Sequence, residues 1–278
     1  MSRIDRYAVI GHPVEHSRSP DIHALFAEQT NQALVYDRLP APRDGFVDVA
    51  RSFFAEGGRG LNVTLPFKEQ AAALADRLTA RAERAGAVNT LMSTPDGLVG
   101  DNTDGAGLIA DLTGRLGIDP VGLHVLILGA GGAVRGVVPS LIAAGVAHVT
   151  IANRTRDKAE AIAAACDEAG TVAATTLAAA PHDADLVINA ISAGLAGEMP
   201  ALDTDVLARA RGVYDMIYSD TETPFLHWAR LHGRPGVNGV DGFGMLVEQA
   251  AESFQLWRGI RPDTATVIAR LRQPQDTL

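Results

Sequence analysis

His124-Val125-Leu126-Ile127-Leu128-Gly129-Ala130-Gly131-Gly132-Ala133-Val134-Arg135 reads as a buried strand, a glycine turn and the opening of a helix that runs to about residue 144. The order matters chemically. A helix N-terminus leaves backbone N–H groups unpaired at the positive end of its dipole, and glycines let an anionic ligand approach them closely. Downstream, Val149 to Ala152, Asp185 to Asn189 and Gly212 to Tyr218 repeat the short apolar run, separated by longer helical stretches. Alternation of this kind marks βαβ units and a parallel sheet, so residues 105–240 are expected to form a doubly wound domain of Rossmann type.

Upstream, Tyr7 to Gly11, Ala33 to Leu39 and Gly60 to Thr64 are strand candidates. Helices are expected to start near Ser19-Pro20, with serine as cap and proline in the first turn, and near Pro42-Arg43. Residues 1–104 therefore form a smaller α/β domain, and the fold class is α/β throughout. A helix from Thr103 to Leu116 links the two domains, and one from about Asp241 to Trp257 begins a C-terminal segment, 241–278, that packs back on the first. The site is expected in a cleft between the domains, because open α/β sheets bind ligands at the strand ends. The sequence contains no internal repeat and no low-complexity linker.

The length of 278 residues agrees with two domains of about 150 residues each. Lys and Arg number 24 against 33 Asp and Glu, for a net charge of −9, so the chain has no overall attraction for nucleic acid. A single cysteine, Cys166, excludes an internal disulfide and a Cys-rich metal site and fits a reducing cytoplasm. No structural metal is expected. The start, Met1 to Arg6, is charged, and Tyr7 to Ile10 is too short for an export signal. Val121 to Ala152 is interrupted by His124, Arg135, Ser140 and His148, well short of the ~18 clean apolar residues of a membrane span. A soluble protein is expected.

The turn assigns Gly129, Ala130, Gly131, Gly132 and Ala133 to a dinucleotide pyrophosphate. Val134 stands where the third glycine of G-x-G-x-x-G would fall. About 20 residues on, NAD-binding folds place an acid on the ribose 2′-hydroxyl. Here the sequence is Asn153-Arg154-Thr155-Arg156-Asp157-Lys158. The guanidinium of Arg154 offers a planar fork suited to a 2′-phosphate, so the cofactor is expected to be NADP, with Asn153, Thr155 and Lys158 beside it. Arg156 and Lys158 read equally well as solvated charges on a first helical turn.

Four polar clusters in the first domain are hard to explain as folding devices: His16-Ser17-Arg18-Ser19-Pro20, Asn62 to Lys68, Asn89-Thr90, and Asp101-Asn102-Thr103-Asp104-Gly105. They bring hydroxyls, amides, carboxylates and one amine to strand ends, a set suited to a small polyhydroxylated acid. With Ala87-Val88-Asn89-Thr90, Gly129 to Ala133, Asn153-Arg154-Thr155, Thr223-Pro224-Phe225-Leu226 and Gly244 to Gln249, they make the chain resemble the shikimate dehydrogenase family over nearly its whole length.

That resemblance implies NADPH-dependent reduction of 3-dehydroshikimate to shikimate, a step of chorismate and aromatic amino acid biosynthesis. It implies Lys68 and Asp104 as the catalytic pair, where Asp101 would otherwise compete with Asp104. It implies Ser17 and Ser19 on the substrate carboxylate, Asn62, Thr64, Asn89, Asp104 and Gln249 on the ring hydroxyls, Tyr218 near the substrate and Met245 beside the nicotinamide. The assembly is expected to be a monomer or homodimer. The sequence departs from the family at Ile191, in Asn189-Ala190-Ile191-Ser192, where a threonine is usual, and around Tyr218 to Thr221, where a proline is missing. His12, His16 and Cys166 are left without a role. A quinate-oxidising sister enzyme usually takes NAD, against which the acid-free Asn153-Arg154-Thr155 argues. A folate-linked dehydrogenase fits the His16 to Pro20 and Asn62 to Lys68 clusters poorly, and a binding protein without catalysis would not need Lys68 and Asp104.

Overall fold

The structure, a computed structural model, describes residues 4–166, 170–191 and 202–272. The chain separates into two compact units, Met1–Gly107 with Val247–Leu278, and Leu108–Leu246.

In the first unit the elements run β1 (Asp5–Gly11), α1 (Ser19–Thr30), β2 (Leu34–Pro40), α2 (Phe46–Ala55), β3 (Gly58–Val63), α3 (Lys68–Leu74), β4 (Arg77–Leu78), α4 (Ala80–Ala85), β5 (Thr90–Thr94) and β6 (Gly97–Asp101). Pro20 sits in the first turn of α1, as its fixed φ favours. α2 starts at Phe46 rather than near Pro42, because residues 42–45 close a turn in which Gly45 N–H donates to Pro42 O. The sheet order is β2-β1-β3-β5-β6-β4. It is mixed: β1 pairs in parallel with β2 and β3, but β5 runs antiparallel to both β3 and β6. The hairpin arises at Pro95-Asp96-Gly97, where proline and aspartate favour a turn and glycine accepts a φ of +117°. Its register places Asn62 opposite Thr90 and Thr90 opposite Asp101. One sheet end thus collects polar residues from three strands. Below it, Ile10, Phe46, Leu61, Phe67, Val88 and Leu91 form the core.

α5 (Asp104–Gly114) contains the first boundary between units, and α9 (Phe243–Arg258) the second. The second unit holds β7 (His124–Leu128), α6 (Gly132–Ala143), β8 (His148–Asn153), α7 (Arg156–Cys166), β9 (Val172–Thr176), β10 (Leu186–Asn189), β11 (Gly212–Asp215), α8 (Pro224–His232) and β12 (Asn238–Asp241). α10 (Thr264–Arg272) follows α9 in the first unit. The second sheet is parallel in every pairing, in the order β12-β11-β10-β7-β8-β9. Strands buried on both faces explain the unbroken apolar runs of β7 and β10. β11 ends at Asp215, not Tyr218: the Asp215 carboxylate accepts from Ile217 N–H and turns the chain. Val134 lies in the core with Val137, Ile127 and Ile151, so the missing third glycine is replaced by a packed side chain. Cys166 is half-buried against the same core. No helix among the described residues is long and apolar enough to cross a membrane.

Candidate active site

Lys68 and Asp104 are each the first residue of a helix, α3 and α5. A carboxylate is favoured at that end of the dipole, whereas a cation is not, so Lys68 occupies a position that helix stability alone would give to another residue. Its Nζ donates to Asp104 Oδ2 at 2.5 Å. The other carboxylate oxygen, Oδ1, accepts from Asn89 Nδ2 at 2.7 Å. Asp101 is spent differently. Arg81 donates to both of its oxygens at 2.7 Å, and the Thr79 hydroxyl and Asn102 N–H reach the same group. Burial raises the Asp101 carboxyl, but Arg81 and Thr79 outweigh it and hold the pKa below the ordinary value. Asp101 is therefore tied to structure and Asp104 is left to face Lys68.

Asn89 is the hub of the network. Its Nδ2 also reaches Thr103 Oγ1 at 2.9 Å and Gln249 Oε1 at 3.2 Å, and its Oδ1 accepts from Thr103 N–H at 2.8 Å. Asn62 Nδ2 donates to Ser253 Oγ at 2.9 Å and Thr90 Oγ1 at 3.3 Å. Thr64, half-buried, is pinned through its backbone to Ile10. The serine loop closes on itself: Ser17 Oγ donates to Ser19 Oγ at 3.2 Å and accepts from Ser19 N–H. Arg38 clamps it by donating twice to Ser17 O, at 2.6 and 3.0 Å. His16 is exposed beside this loop.

Ser253, Tyr36 and Arg38 border the candidate site and Arg81 ties Asp101, and the sequence singles out none of them. Tyr36 and Arg38 stand two apart on β2, so they share a face of the strand, and that spacing is the signal that would have found them. Ser253 reaches the network from 191 residues away, and no local pattern announces it.

In the second unit, Gly129 has φ +111°, and a Cβ there would lie 2.9 Å from Ala190 O, so only glycine lets β7 turn into α6. A Cβ on Gly131 or Gly132 would meet nothing within 4 Å, and both residues are exposed with Ala133. Among the described residues no side chain stands against these two positions, so the N-terminus of α6 presents backbone that a pyrophosphate can approach. Asn153 Nδ2 donates to Thr155 O at 2.7 Å, shaping the loop after β8. Arg156 pairs with Glu160 at 2.8 Å, the solvated reading of that charge. Arg154 and Lys158 are exposed and have no ion pair among the described residues. Ile191 N–H donates to Asn189 Oδ1 at 3.2 Å, while Ser192 lies outside the described residues. Tyr218 packs edge-on against Phe243, and Met245 is buried in the core of this unit.

Family models match three segments: the shikimate dehydrogenase substrate binding domain over residues 9–91, shikimate / quinate 5-dehydrogenase over 117–202, and the shikimate 5'-dehydrogenase C-terminal domain over 242–272. A shikimate dehydrogenase (NADP(+)) of Alkalilimnicola ehrlichii is 56% identical over 96% of this chain and 98% of its own length. Among solved structures, an Ael1 enzyme from Pseudomonas putida superposes with a TM-score of 0.89 at 42% identity, covering 98% of this chain and all of its own. The shikimate 5-dehydrogenase of Thermus thermophilus, solved with NADP(H) and shikimate, does so with a TM-score of 0.82 at 32% identity, covering 96% and 99%. With full-length identity at this level, a matching two-unit α/β architecture and a Lys68–Asp104 pair set in a buried amide and hydroxyl network, the chain belongs to the shikimate dehydrogenase family.

Proposed function

We propose that this chain catalyses the reversible reduction of 3-dehydroshikimate to shikimate with NADPH, and that Lys68 and Asp104 carry the proton transfer. The observation behind the second part is the 2.5 Å contact between Lys68 Nζ and Asp104 Oδ2, with the other Asp104 oxygen fixed by Asn89. NADPH, when bound, supplies the hydride to the ketone carbon. The ammonium of Lys68 stabilises charge growing on the carbonyl oxygen and gives that oxygen its proton. Asp104 aims the lysine and accepts from the ring, and Asn89 keeps the carboxylate from rotating away. In the oxidative direction the neutral lysine takes the proton back.

Ser17 and Ser19 hold the substrate carboxylate with hydroxyls rather than a cation. Asn62, Thr64, Asn89 and Gln249 meet the ring hydroxyls, with Tyr218 near the substrate. Amides and hydroxyls both donate and accept, so a misplaced or missing hydroxyl leaves buried groups unpaired. In the second unit, residues 129–133 take the pyrophosphate on the N-terminus of α6, and Arg154 takes the 2′-phosphate with Asn153, Thr155 and Lys158 around it. Met245, at the edge of the core of this unit, lies beside the nicotinamide. A reducing cytoplasm suits a chain with one cysteine, and a net charge of −9 fits a small-molecule enzyme acting as monomer or homodimer without nucleic acid.

The test is a set of four assays, shikimate or quinate with NADP+ or NAD+. Fastest turnover, by kcat/KM, of shikimate with NADP+ is expected; preferred turnover of quinate with NAD+ would replace this reading with that of the sister enzyme.

A further inference from the structure

Asn62 is held from two sides by residues that the reaction does not touch. From β2, the Tyr36 hydroxyl donates to Asn62 Oδ1 at 2.7 Å. Burial of the phenol pushes its pKa well above 10, against a smaller effect of Ser19, so at neutral pH the phenol keeps its proton and acts as donor. A protonated phenol can also accept, so it does not settle the carboxamide alone: the oxygen faces Tyr36 because Nδ2 faces the other way, toward a hydroxyl whose own proton is committed elsewhere. There it finds Ser253 on α9, which is fully buried, accepts from Nδ2 at 2.9 Å and passes its own proton to Gln249 O at 3.0 Å.

Beneath Tyr36 lies His23 of α1, its ring parallel to the phenol within 7° and 4.1 Å away. His23 is 1% exposed, and among the described residues neither ring nitrogen has a partner at hydrogen-bond geometry, Asn62 lying only near enough to oppose the effect of burial in part. It is a flat neutral platform that leaves Tyr36 free to spend its hydroxyl on Asn62. The platform, the phenol, the carboxamide and the serine thus form one stack of contacts running from α1 to α9 across the polar end of the first sheet.

We propose that Tyr36 and Ser253 are positioning residues that lock the Asn62 carboxamide in one of its two orientations, and so set its hydrogen-bonding pattern toward a ring hydroxyl before substrate arrives. This rests on the reading that Asn62 meets the ring hydroxyls. A carboxamide that loses one anchor is held by the other and by the longer contacts of Nδ2 to Thr90 Oγ1 at 3.3 Å and Asn89 O at 3.4 Å, so part of the ordering falls to the substrate. The penalty falls on binding and leaves proton and hydride transfer alone.

Tyr36→Phe keeps the ring on His23 and removes only the hydroxyl, while Ser253→Ala removes the opposite anchor. Each is expected to raise KM for shikimate by about two- to tenfold, the span of a neutral hydrogen bond, with kcat and KM for NADP+ within about twofold. Asn62→Ala raises KM for shikimate at least as much. In the Asn62→Ala background, Tyr36→Phe then adds nothing, because there is no carboxamide left to orient. A Tyr36→Phe effect of the same size in both backgrounds, or unchanged KM in both single variants while Asn62→Ala raises it, would overturn the positioning role and leave the site intact. An Asn62→Ala enzyme with unaltered KM would remove Asn62 from the substrate site and this inference with it.

Discussion

At the polar end of the first sheet the functional side chains are buried and bonded to one another: Asn62, Asn89, Thr90, Thr103 and Asp104 are each at most 6% exposed. At the strand ends of the second sheet the candidate groups are the exposed turn of residues 131–133 and the exposed side chains of Arg154 and Lys158. Buried, mutually satisfied amides and hydroxyls are held in place before a ligand arrives, and each depends on its neighbours. Exposed cations act as separate points of attraction, screened by salt. The contrast follows the task assigned to each unit. A reacting ring must be fixed to a fraction of an ångström, whereas a phosphate needs only charge and an open helix end.

The largest effect expected from this contrast lies in the buried network. Lys68→Ala should lower kcat by about 10²- to 10⁴-fold, the usual contribution of a positioned acid or base, while shikimate binding changes little. Steady-state kinetics alongside a direct binding titration would check it; a kcat within about threefold of wild type would remove Lys68 from the mechanism. Next comes the exposed side of the comparison. If Arg154 binds the 2′-phosphate as proposed, Arg154→Ala removes charge-assisted hydrogen bonds worth about 1.5 to 3 kcal/mol and should raise KM for NADP+ ten- to hundredfold. KM for NAD+ should stay where it is, so an unaltered cofactor preference would show that Arg154 does not read the 2′-phosphate.

How far the sequence announces these two regions follows the same division. The cofactor turn is local: strand, glycines and helix are contiguous, so β7, α6 and the loop bearing Arg154 can be read residue by residue. The polar network is assembled by register. Asn62, Thr90 and Asp101 meet only because β5 and β6 form an antiparallel hairpin, and although Pro95-Asp96-Gly97 is a turn signal, nothing local tells which strand the hairpin joins. On local pattern alone, without the family resemblance, Asp101 and Asp104 look alike. Arg81, paired with Asp101 across 20 residues, separates them. β9 and β12 go unread because each is a short edge strand of weak apolar character. His23 and Ser253 lie on helices whose faces the sequence does not reveal, and Tyr36 is signalled only by sharing a strand face with Arg38.

A third expectation concerns the cost of burying His23. Burial holds its imidazole down at about pKa 3, against 6.5 in the unfolded chain, with Asn62 opposing slightly. Above pH 6.5 both states are neutral and the group is silent. As pH falls below 6.5 the unfolded chain takes a proton that the folded one refuses, so stability drops by about 1.4 kcal/mol per pH unit until about pH 3. In urea unfolding, His23→Phe should therefore lose about 2 kcal/mol less than wild type between pH 7 and pH 5. Equal losses would mean that the imidazole is not held neutral. The widest range is expected in the serine loop, where Ser17→Ala or Ser19→Ala should weaken shikimate by about 0.5 to 3 kcal/mol and spare NADP+. Equal weakening of both ligands would show that the change damages the fold rather than the carboxylate contact.

The division of labour between the units is tested most directly by combining Lys68→Ala with Arg154→Ala and measuring kcat and both KM values in wild type, single variants and the double variant. If one unit performs the chemistry and the other chooses the cofactor, the double variant has the kcat of Lys68→Ala within about twofold, and its KM for NADP+ rises by the same ten- to hundredfold as in Arg154→Ala. An Arg154→Ala enzyme whose kcat at saturating NADP+ falls more than about tenfold, or a double variant whose losses are far from the product of the singles, would contradict it.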